Sequence, residues 1–164
     1  MKRIRGRVWK YGDNVNTDVI FPGKYTYTIR DPQEMAKHAL EDLDPDFAAK
    51  VRPGDILVGG KNFGCGSSRE QAAFAPKYAG VTAVIAKSFA RLFFRNAINA
   101  GLVALAMPEV VDVVQTGDVI EIDVEQGVVL AGGREFHFPP LDDNALGILR
   151  DGGLIEHVKR LVKG

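Results

Sequence analysis

Short apolar runs separated by turn-forming clusters divide the chain into stretches of different period. Ile56-Leu57-Val58, Thr82-Ala83-Val84-Ile85-Ala86 and Leu102-Val103-Ala104-Leu105-Ala106 are apolar without alternation, the pattern of strands covered on both faces. The gaps between them hold helix-like segments. Glu70 to Ala79 is closed by Gly80, with Pro76 expected to kink or shorten it. Phe89 to Ala100 is closed by Gly101, with Ser88 as its expected cap and Leu92, Phe93, Ala97 and Ala100 as its burial face. Arg91 and Arg95 stand four apart and share one side of that helix. Strand, helix, strand, helix, strand over residues 55–106 favours parallel pairing.

The flanks read differently. Residues 3–9 alternate polar and apolar and predict a strand. Tyr11 to Asp18 is rich in turn formers, and Val19-Ile20-Phe21 reads as a short strand stopped by Pro22-Gly23. Lys24-Tyr25-Thr26-Tyr27-Thr28-Ile29-Arg30 has no helical period. It is either a half-buried strand or loop, or a ligand-facing loop, because tyrosine and arginine combine apolar contact with carboxylate pairing. Asp31-Pro32-Gln33-Glu34 is a helix start with a cap, a first-position proline and a capping-box glutamate. His38 reads as a surface or partly buried helix residue, and Pro45 to Val51 as further helical turns. Asp118 to Val124 alternates cleanly, with hairpin partners at 127–130 and 135–138 and turns at Gln126-Gly127 and Gly132-Gly133. Helices near Asn144–Leu149 and Leu154–Val162 end the chain. The expected product is one α/β domain over 1–164, a mixed sheet with flanking helices.

Composition narrows the function classes. The chain has 164 residues, 46% hydrophobic and 26% charged, ordinary for a globular domain. Lys+Arg and Asp+Glu both number 21, which argues against a nucleic-acid module. No apolar run approaches the roughly 20 residues of a membrane helix. The opening Met1 to Gly6 is basic but lacks the apolar core of a signal peptide. The expected setting is therefore cytoplasmic, with no membrane or nucleic-acid partner. The single cysteine, Cys65, excludes an internal disulfide and any multi-cysteine metal site within this chain.

The chemistry concentrates in Gly59-Gly60-Lys61-Asn62-Phe63-Gly64-Cys65-Gly66-Ser67-Ser68-Arg69-Glu70, where a strand should become a helix. Ser67 and Glu70 fit a capping box. A helix beginning there would point free N–H groups at the loop. Glycines permit close approach of a ligand, and Arg69 offers a fork matched to carboxylate or phosphate. The spacing is neither a phosphate P-loop nor a dinucleotide fingerprint. Two readings stand at this point: a capped helix after a glycine turn, or a site for a small, multiply charged anion. Cys65 fits a small core cysteine better than a nucleophile, since no histidine lies near it in sequence.

Asn62 to Glu70, followed by Ser88-Phe89-Ala90-Arg91-Leu92-Phe93-Phe94-Arg95-Asn96-Ala97-Ile98-Asn99-Ala100-Gly101, resembles the family of 3-isopropylmalate dehydratase small subunits. Gly6 to Asn14 and Thr17-Asp18 are similar to that family too, and the likeness runs from about residue 3 to 160. Gly66-Ser67-Ser68-Arg69-Glu70 is shared with the swivelling C-terminal domain of aconitases.

The resemblance implies a swivelling β/β/α domain. It implies a large-subunit partner carrying a [4Fe-4S] cluster on its own cysteines, with no metal bound by this chain. It also leaves room for self-association of the isolated small subunit. The reaction it implies moves the hydroxyl of a 2-hydroxy diacid to the neighbouring carbon through loss and return of water. By motif, Ser67 would be the base, and Ser68 and Arg69 would bind a substrate carboxylate. Arg5 before Gly6 is similar to a substrate-binding arginine, with a solvated strand arginine as the alternative. The family's specificity loop would be Tyr25, Thr26, Tyr27, Thr28 and Arg30. Tyr27 favours an apolar substrate branch in the leucine pathway, whereas Arg30 leaves homoaconitate open and dimethylmalate is a third possibility. A non-catalytic anion-binding module is the competing class.

Overall fold

The computed structural model describes residues 3–163. Met1, Lys2 and Gly164, which the 1–164 expectation also covered, lie outside the described residues. Seven strands form one mixed sheet: β1 (Ile4–Lys10), β2 (Ile56–Gly59), β3 (Ala83–Ala86), β4 (Val103–Ala106), β5 (Val119–Asp123), β6 (Val128–Ala131) and β7 (Arg134–His137). Their order is β4-β3-β2-β1-β5-β6-β7. The first four are parallel, and β5, β6 and β7 form an antiparallel meander.

β1 joins the two kinds of sheet by dividing its length. Val8, Trp9 and Lys10 pair in parallel with Ile56, Leu57 and Val58. Ile4 to Arg7 pair antiparallel with Ile122 to Val119. The period of each strand follows its setting. β2 and β3 are buried along their whole length, whereas β5 alternates, burying Ile120 and Ile122. Each fully buried leucine or isoleucine of this core contributes roughly 1.5–3 kcal/mol of transfer free energy.

Eight helices flank the sheet among the described residues: α1 (Thr17–Ile20), α2 (Pro32–Lys37), α3 (Phe47–Lys50), α4 (Gln71–Ala79), α5 (Arg91–Asn99), α6 (Pro108–Val113), α7 (Asp143–Arg150) and α8 (Leu154–Lys163). α4 and α5 are the crossovers of the parallel strands, and α4 packs on α1, α2 and α5. Gly80 (φ 118°) and Gly101 (φ 84°) end these two helices as expected. α4 runs on through Pro76 to Ala79.

Four local expectations are corrected, and of the readings open for Lys24–Arg30 the loop stands. Val19-Ile20-Phe21 is not a strand. Asn16 Oδ1 accepts from Val19 N at 3.0 Å and caps α1, so local capping wins over the β-branched propensity. Lys24–Arg30 is not a strand either; a 3-10 turn over Gly23–Tyr25 runs into further turns. Ser67 caps no helix, because α4 begins four residues later with Glu70 at its boundary and no side-chain cap. Gly64 and Gly66, at φ 83° and 95°, keep the chain turning through this stretch. Ser88 does not cap α5; its Oγ accepts instead from Asn62 N at 2.8 Å. Leu92 does not join the burial face of α5, where Phe93, Ala97 and Ile98 are buried and Leu92 is 50% exposed.

Candidate active site

The glycine-rich loop leaves the C-terminal end of β2 and is stitched on both sides by backbone hydrogen bonds. On one side, Gly60 N donates to Gly12 O (2.9 Å), Asn14 N to Lys61 O (2.8 Å), Gly64 N to Val15 O (2.7 Å) and Thr17 N to Cys65 O (2.8 Å). On the other, Phe63 N donates to Ser88 O (3.0 Å), Ala90 N to Phe63 O (2.9 Å) and Lys87 N to Gly60 O (3.0 Å). The loop thus lies as a middle ply between residues 12–17 and 87–90. Glycine is required where the plies touch. A β-carbon on Gly60 would stand 1.9 Å from Asp13 Oδ1, and one on Gly64 would stand 2.1 Å from Phe93 Cγ.

Beyond this clamp, Gly66, Ser67 and Ser68 are exposed. The side chain of Ser67 makes no hydrogen bond with any described residue, so its hydroxyl is held by the backbone alone. Arg69 turns the other way. Its Nη2 lies 2.7 Å from Phe21 O, 3.0 Å from Thr17 O and 3.0 Å from Asp18 Oδ1, and its Nη1 donates to Thr26 Oγ1 at 3.2 Å. The guanidinium therefore spans α1, from the carbonyl of its first residue, Thr17, to that of its C-cap, Phe21.

Two buried side-chain atoms lack partners among the described residues: Arg69 Nε and Thr17 Oγ1. Both residues line one cleft of about 340 Å³, together with Gly64, Gly66, Ser68 and the first turns of α5. Orphaned buried donors are uncommon in folded proteins. Two beside one cleft are what a ligand oxygen would satisfy.

The expected specificity loop is brought partly to this site. Thr26 accepts from Arg69, and its carbonyl lies 3.5 Å from Gln71 Nε2. Tyr25 is anchored away from the cleft, its ring centroid 4.3 Å from that of His38 and its Oη 3.4 Å from Glu41 Oε1. His38 holds the Glu41 carboxyl below its ordinary range through a 2.7 Å hydrogen bond. Tyr27 is 86% exposed, and Thr28 and Arg30 are exposed beside it.

Arg5 is not brought to the loop. It lies in the half of β1 that pairs with β5, and its Nε is 3.7 Å from Glu121 Oε1. The loop leaves β2 beyond Val58, which pairs with Lys10. Arg5 and Lys10 are five residues apart on an extended strand, about 17 Å.

A domain model described as the aconitase C-terminal domain matches residues 11–110, the span that holds the loop, both flanking plies, α4 and α5. The chain belongs to that family. Among curated relatives of this family member, the 3-isopropylmalate dehydratase small subunit 1 of Thermotoga maritima is 52% identical over 159 residues, 96% of this chain and 95% of that protein. The methanogen homoaconitase small subunit of Methanothermobacter thermautotrophicus is 51% identical over 162 residues, 97% of this chain and 92% of that protein. The crystal structure of 3-isopropylmalate dehydratase from Methanocaldococcus jannaschii superposes with a TM-score of 0.89 at 43% identity, over 99% of this chain and 98% of that one.

In this aconitase-family chain, residues that could hold a cluster are missing from the site. Among the described residues no three His, Cys, Asp or Glu side chains converge on a metal position. Cys65 is the only cysteine of the sequence and is half-buried in the clamp. No helix of the described residues is long and apolar enough to cross a membrane. Sequence reasoning gave no role to Thr17 or Asp18 beyond family likeness, because Tyr11 to Asp18 reads as a generic turn. The available signal was Asn16-Thr17-Asp18, a cap residue followed by a first-turn acid.

Proposed function

We propose that this chain is the small subunit of a 3-isopropylmalate dehydratase. It lends Ser67, Ser68 and Arg69 to an active site completed by a large subunit that carries a [4Fe-4S] cluster. The observation that carries the reading is the Ser67–Arg69 turn on a clamped loop, with a buried Arg69 Nε unpartnered beside an open cleft. The chain's own residues do not fit a cluster, so no chemical step of the cluster is assigned to them.

What this chain supplies is proton transfer and binding. Ser67 Oγ, as alkoxide, takes the carbon-bound proton next to the carbon that bears the hydroxyl. Loss of hydroxide from that neighbouring carbon completes the elimination of water and leaves a carbon–carbon double bond. Return of the proton and of hydroxide with positions exchanged gives the isomer. A serine alkoxide is a costly base, and the nearby Arg69 charge favours it electrostatically. Arg69 Nε and the Ser68 hydroxyl take a substrate carboxylate, with Ser67 positioned by the rigid loop rather than by side-chain contacts.

The deciding experiment reconstitutes the chain with its large subunit and compares wild type with Ser67→Ala. The variant removes an exposed hydroxyl without a partner, so the complex should assemble normally while turnover of 2-isopropylmalate falls about 10²–10⁴-fold. Turnover close to wild type would remove Ser67 from the mechanism.

One observation favours a second substrate. Arg30 is exposed in the loop without a partner among the described residues, as a reader of an additional carboxylate would be, and the homoaconitase small subunit above is as similar in sequence as the isopropylmalate relatives. Homoaconitate turned over faster than isopropylmalate by the reconstituted pair would move the assignment to that substrate.

A further inference from the structure

The last helix, α8, carries an apolar face that the rest of the described residues leave uncovered. Half of the large apolar side chains exposed among them lie on this one helix: Leu154, Ile155, Val158, Leu161 and Val162, the last 81% exposed. Their spacing puts them on one side of α8. The residue that α8 buries is instead a histidine. His157 is 9% exposed, its Nδ1 lies 2.7 Å from Asp151 Oδ2, and a β-carbon on Gly147 of α7 would stand 3.0 Å from its ring. α8 is thus tied to the body by a polar contact and turns its apolar stripe outward, the reverse of an ordinary surface helix. Single exposed apolar residues are common, but a contiguous stripe marks an interaction surface.

Three features of the stripe identify its occupant. It is symmetric about Val158, with Ile155 and Leu161 three residues to either side and Leu154 and Val162 four. Its two ends differ in shape. The N-terminal end opens on a groove of about 180 Å³, lined in part by Phe74, Tyr78, Leu154 and Ile155, whereas the C-terminal end presents Val162 as a protrusion. The charges beside the stripe are neutralised within the chain. Lys159 Nζ lies 3.6 Å from Glu156 Oε1 and Arg160 Nε lies 2.7 Å from Asp151 Oδ2, which leaves Lys163 as the one unpaired cation of α8 among the described residues. An anionic lipid surface or an acidic partner would be met by several free cations.

We propose that α8 joins two copies of this chain, the helices packing antiparallel about a two-fold axis through Val158. That axis lays Val158 on its own copy, Ile155 on Leu161 of the second chain and Leu154 on its Val162. Each Val162 then enters the other copy's groove beside Phe74 and Tyr78, so that protrusion meets groove twice by symmetry. The groove stands at the Asn99–Ala100 end of α5, whereas the cleft beside Ser68 and Arg69 is lined by residues 90–96. Pairing through α8 therefore leaves that cleft open to a large subunit. A ten-residue stripe is about 15 Å long, at the small end of specific interfaces, which makes the pair concentration-dependent.

The test begins with the isolated full chain. Sedimentation should show a monomer–dimer equilibrium in the micromolar range. Val158→Asp, with helix content unchanged in circular dichroism, should weaken it at least about 100-fold, because two carboxylates would face each other out of water. Val158→Cys tests the axis itself. A residue on the two-fold faces its own copy, so mild oxidation should give a disulfide-linked dimer. Glu156→Cys, on the opposite side of α8, should give none, and neither should wild type, whose single Cys65 is half-buried in the clamp. Val158→Asp should bind the large subunit as tightly as wild type does. A chain that stays monomeric through the micromolar range would overturn the proposal, as would a dimer that persists in Val158→Asp or a dimeric sample in which Val158→Cys does not cross-link. Loss of large-subunit binding in Val158→Asp, from a chain that sediments as a monomer, would also overturn it and make the stripe a surface for the large subunit.

Discussion

Thr17 is bonded through its carbonyl to Arg69 and through its amide to Cys65. Arg69 Nη2 donates to Thr17 O at 3.0 Å, while Thr17 N donates to Cys65 O at 2.8 Å. One residue of α1 thereby closes the turn from Cys65 to Arg69 at both ends. Ser67, in the middle of that turn, has no side-chain partner among the described residues and needs none to be placed. The arrangement separates two roles that an arginine often combines. The Nη edge of Arg69 is spent on positioning, and its buried Nε has no partner among the described residues.

Replacement of Arg69 by lysine should therefore cost stability and activity together. A single ammonium cannot reproduce contacts to Phe21 O, Thr17 O and Thr26 Oγ1 at once. Urea unfolding should show a loss of about 1.5–3 kcal/mol, and kcat/KM of the reconstituted complex should drop at least 10-fold, as one charged hydrogen bond is lost. Asp18→Asn is the control. Its carboxylate is 67% exposed, so its pair with Arg69 is worth at most about 1 kcal/mol and the variant should remain active. Equal damage from both substitutions would mean that the ion pair, not the backbone clasp, holds the loop.

Much of this arrangement was legible in the sequence because it depends on local periods. The continuous apolar runs of β2, β3 and β4 and the alternation of β5 stand where expected. So do the glycine stops at Gly80 and Gly101 and the Asp31 cap, whose carboxylate accepts from Glu34 N. The misread pieces are those fixed by contacts between distant segments. Ser88 looks like a cap from its neighbours, but its hydroxyl is drawn to Asn62, 26 residues away. Ser67 looks like a cap because the next strong helix signal follows it, yet Arg69 reaches back to α1 and delays that helix to Gln71. The site motif itself was readable as residue types. Its orphaned donors and the α5 side of the cleft were not, since they exist only once Thr17, Gly66 and Arg91 are brought around one cleft.

The clamp should be intolerant of bulk at one defined position. A β-carbon on Gly64 would stand 2.1 Å from Phe93 Cγ, and φ is +83° there. Gly64→Ala should destabilise the chain by about 2–4 kcal/mol, from overpacking and the strained backbone. Gly12→Ala, whose added carbon would meet nothing within 4 Å, should stay within about 0.5 kcal/mol of wild type. Thermal denaturation of both variants checks the contrast; a tolerated Gly64→Ala would mean that the loop can yield against α5.

Acid should weaken the sheet junction through Asp55. Burial pushes its carboxyl up, but hydrogen bonds from Arg7, Trp9 and the Arg52 amide outweigh burial and hold it below the usual carboxylate range. A depressed folded-state value means that the unfolded chain binds the proton first. The stabilisation is therefore complete well above about pH 4, the unfolded value, and is lost as pH falls through the folded one. Asp55→Asn should be less stable at pH 7 by about 2 kcal/mol, less than a fully buried pair because Arg7 is partly exposed. Urea midpoints at pH 7 and pH 3 should show the gap between wild type and variant narrowing with acid. A gap that stayed constant would mean that Asp55 acts through shape rather than charge.

Substrate choice should separate from stability in the 24–30 loop. Tyr27 is 86% exposed and contributes nothing to the core, so Tyr27→Ala should change unfolding free energy by no more than about 0.5 kcal/mol. An exposed aromatic that covers an apolar substrate branch in the complex would be missed only there. Its loss should lower kcat/KM for isopropylmalate about 10-fold, the scale of an apolar pocket contact. Arg30→Gln should leave isopropylmalate turnover within twofold and lower whatever activity the complex has on homoaconitate. The measurement is kcat/KM for both diacids with wild type and each variant. A tenfold loss on isopropylmalate from Arg30→Gln, with Tyr27→Ala unaffected, would reverse the two assignments and make the loop a reader of carboxylates rather than of hydrocarbon.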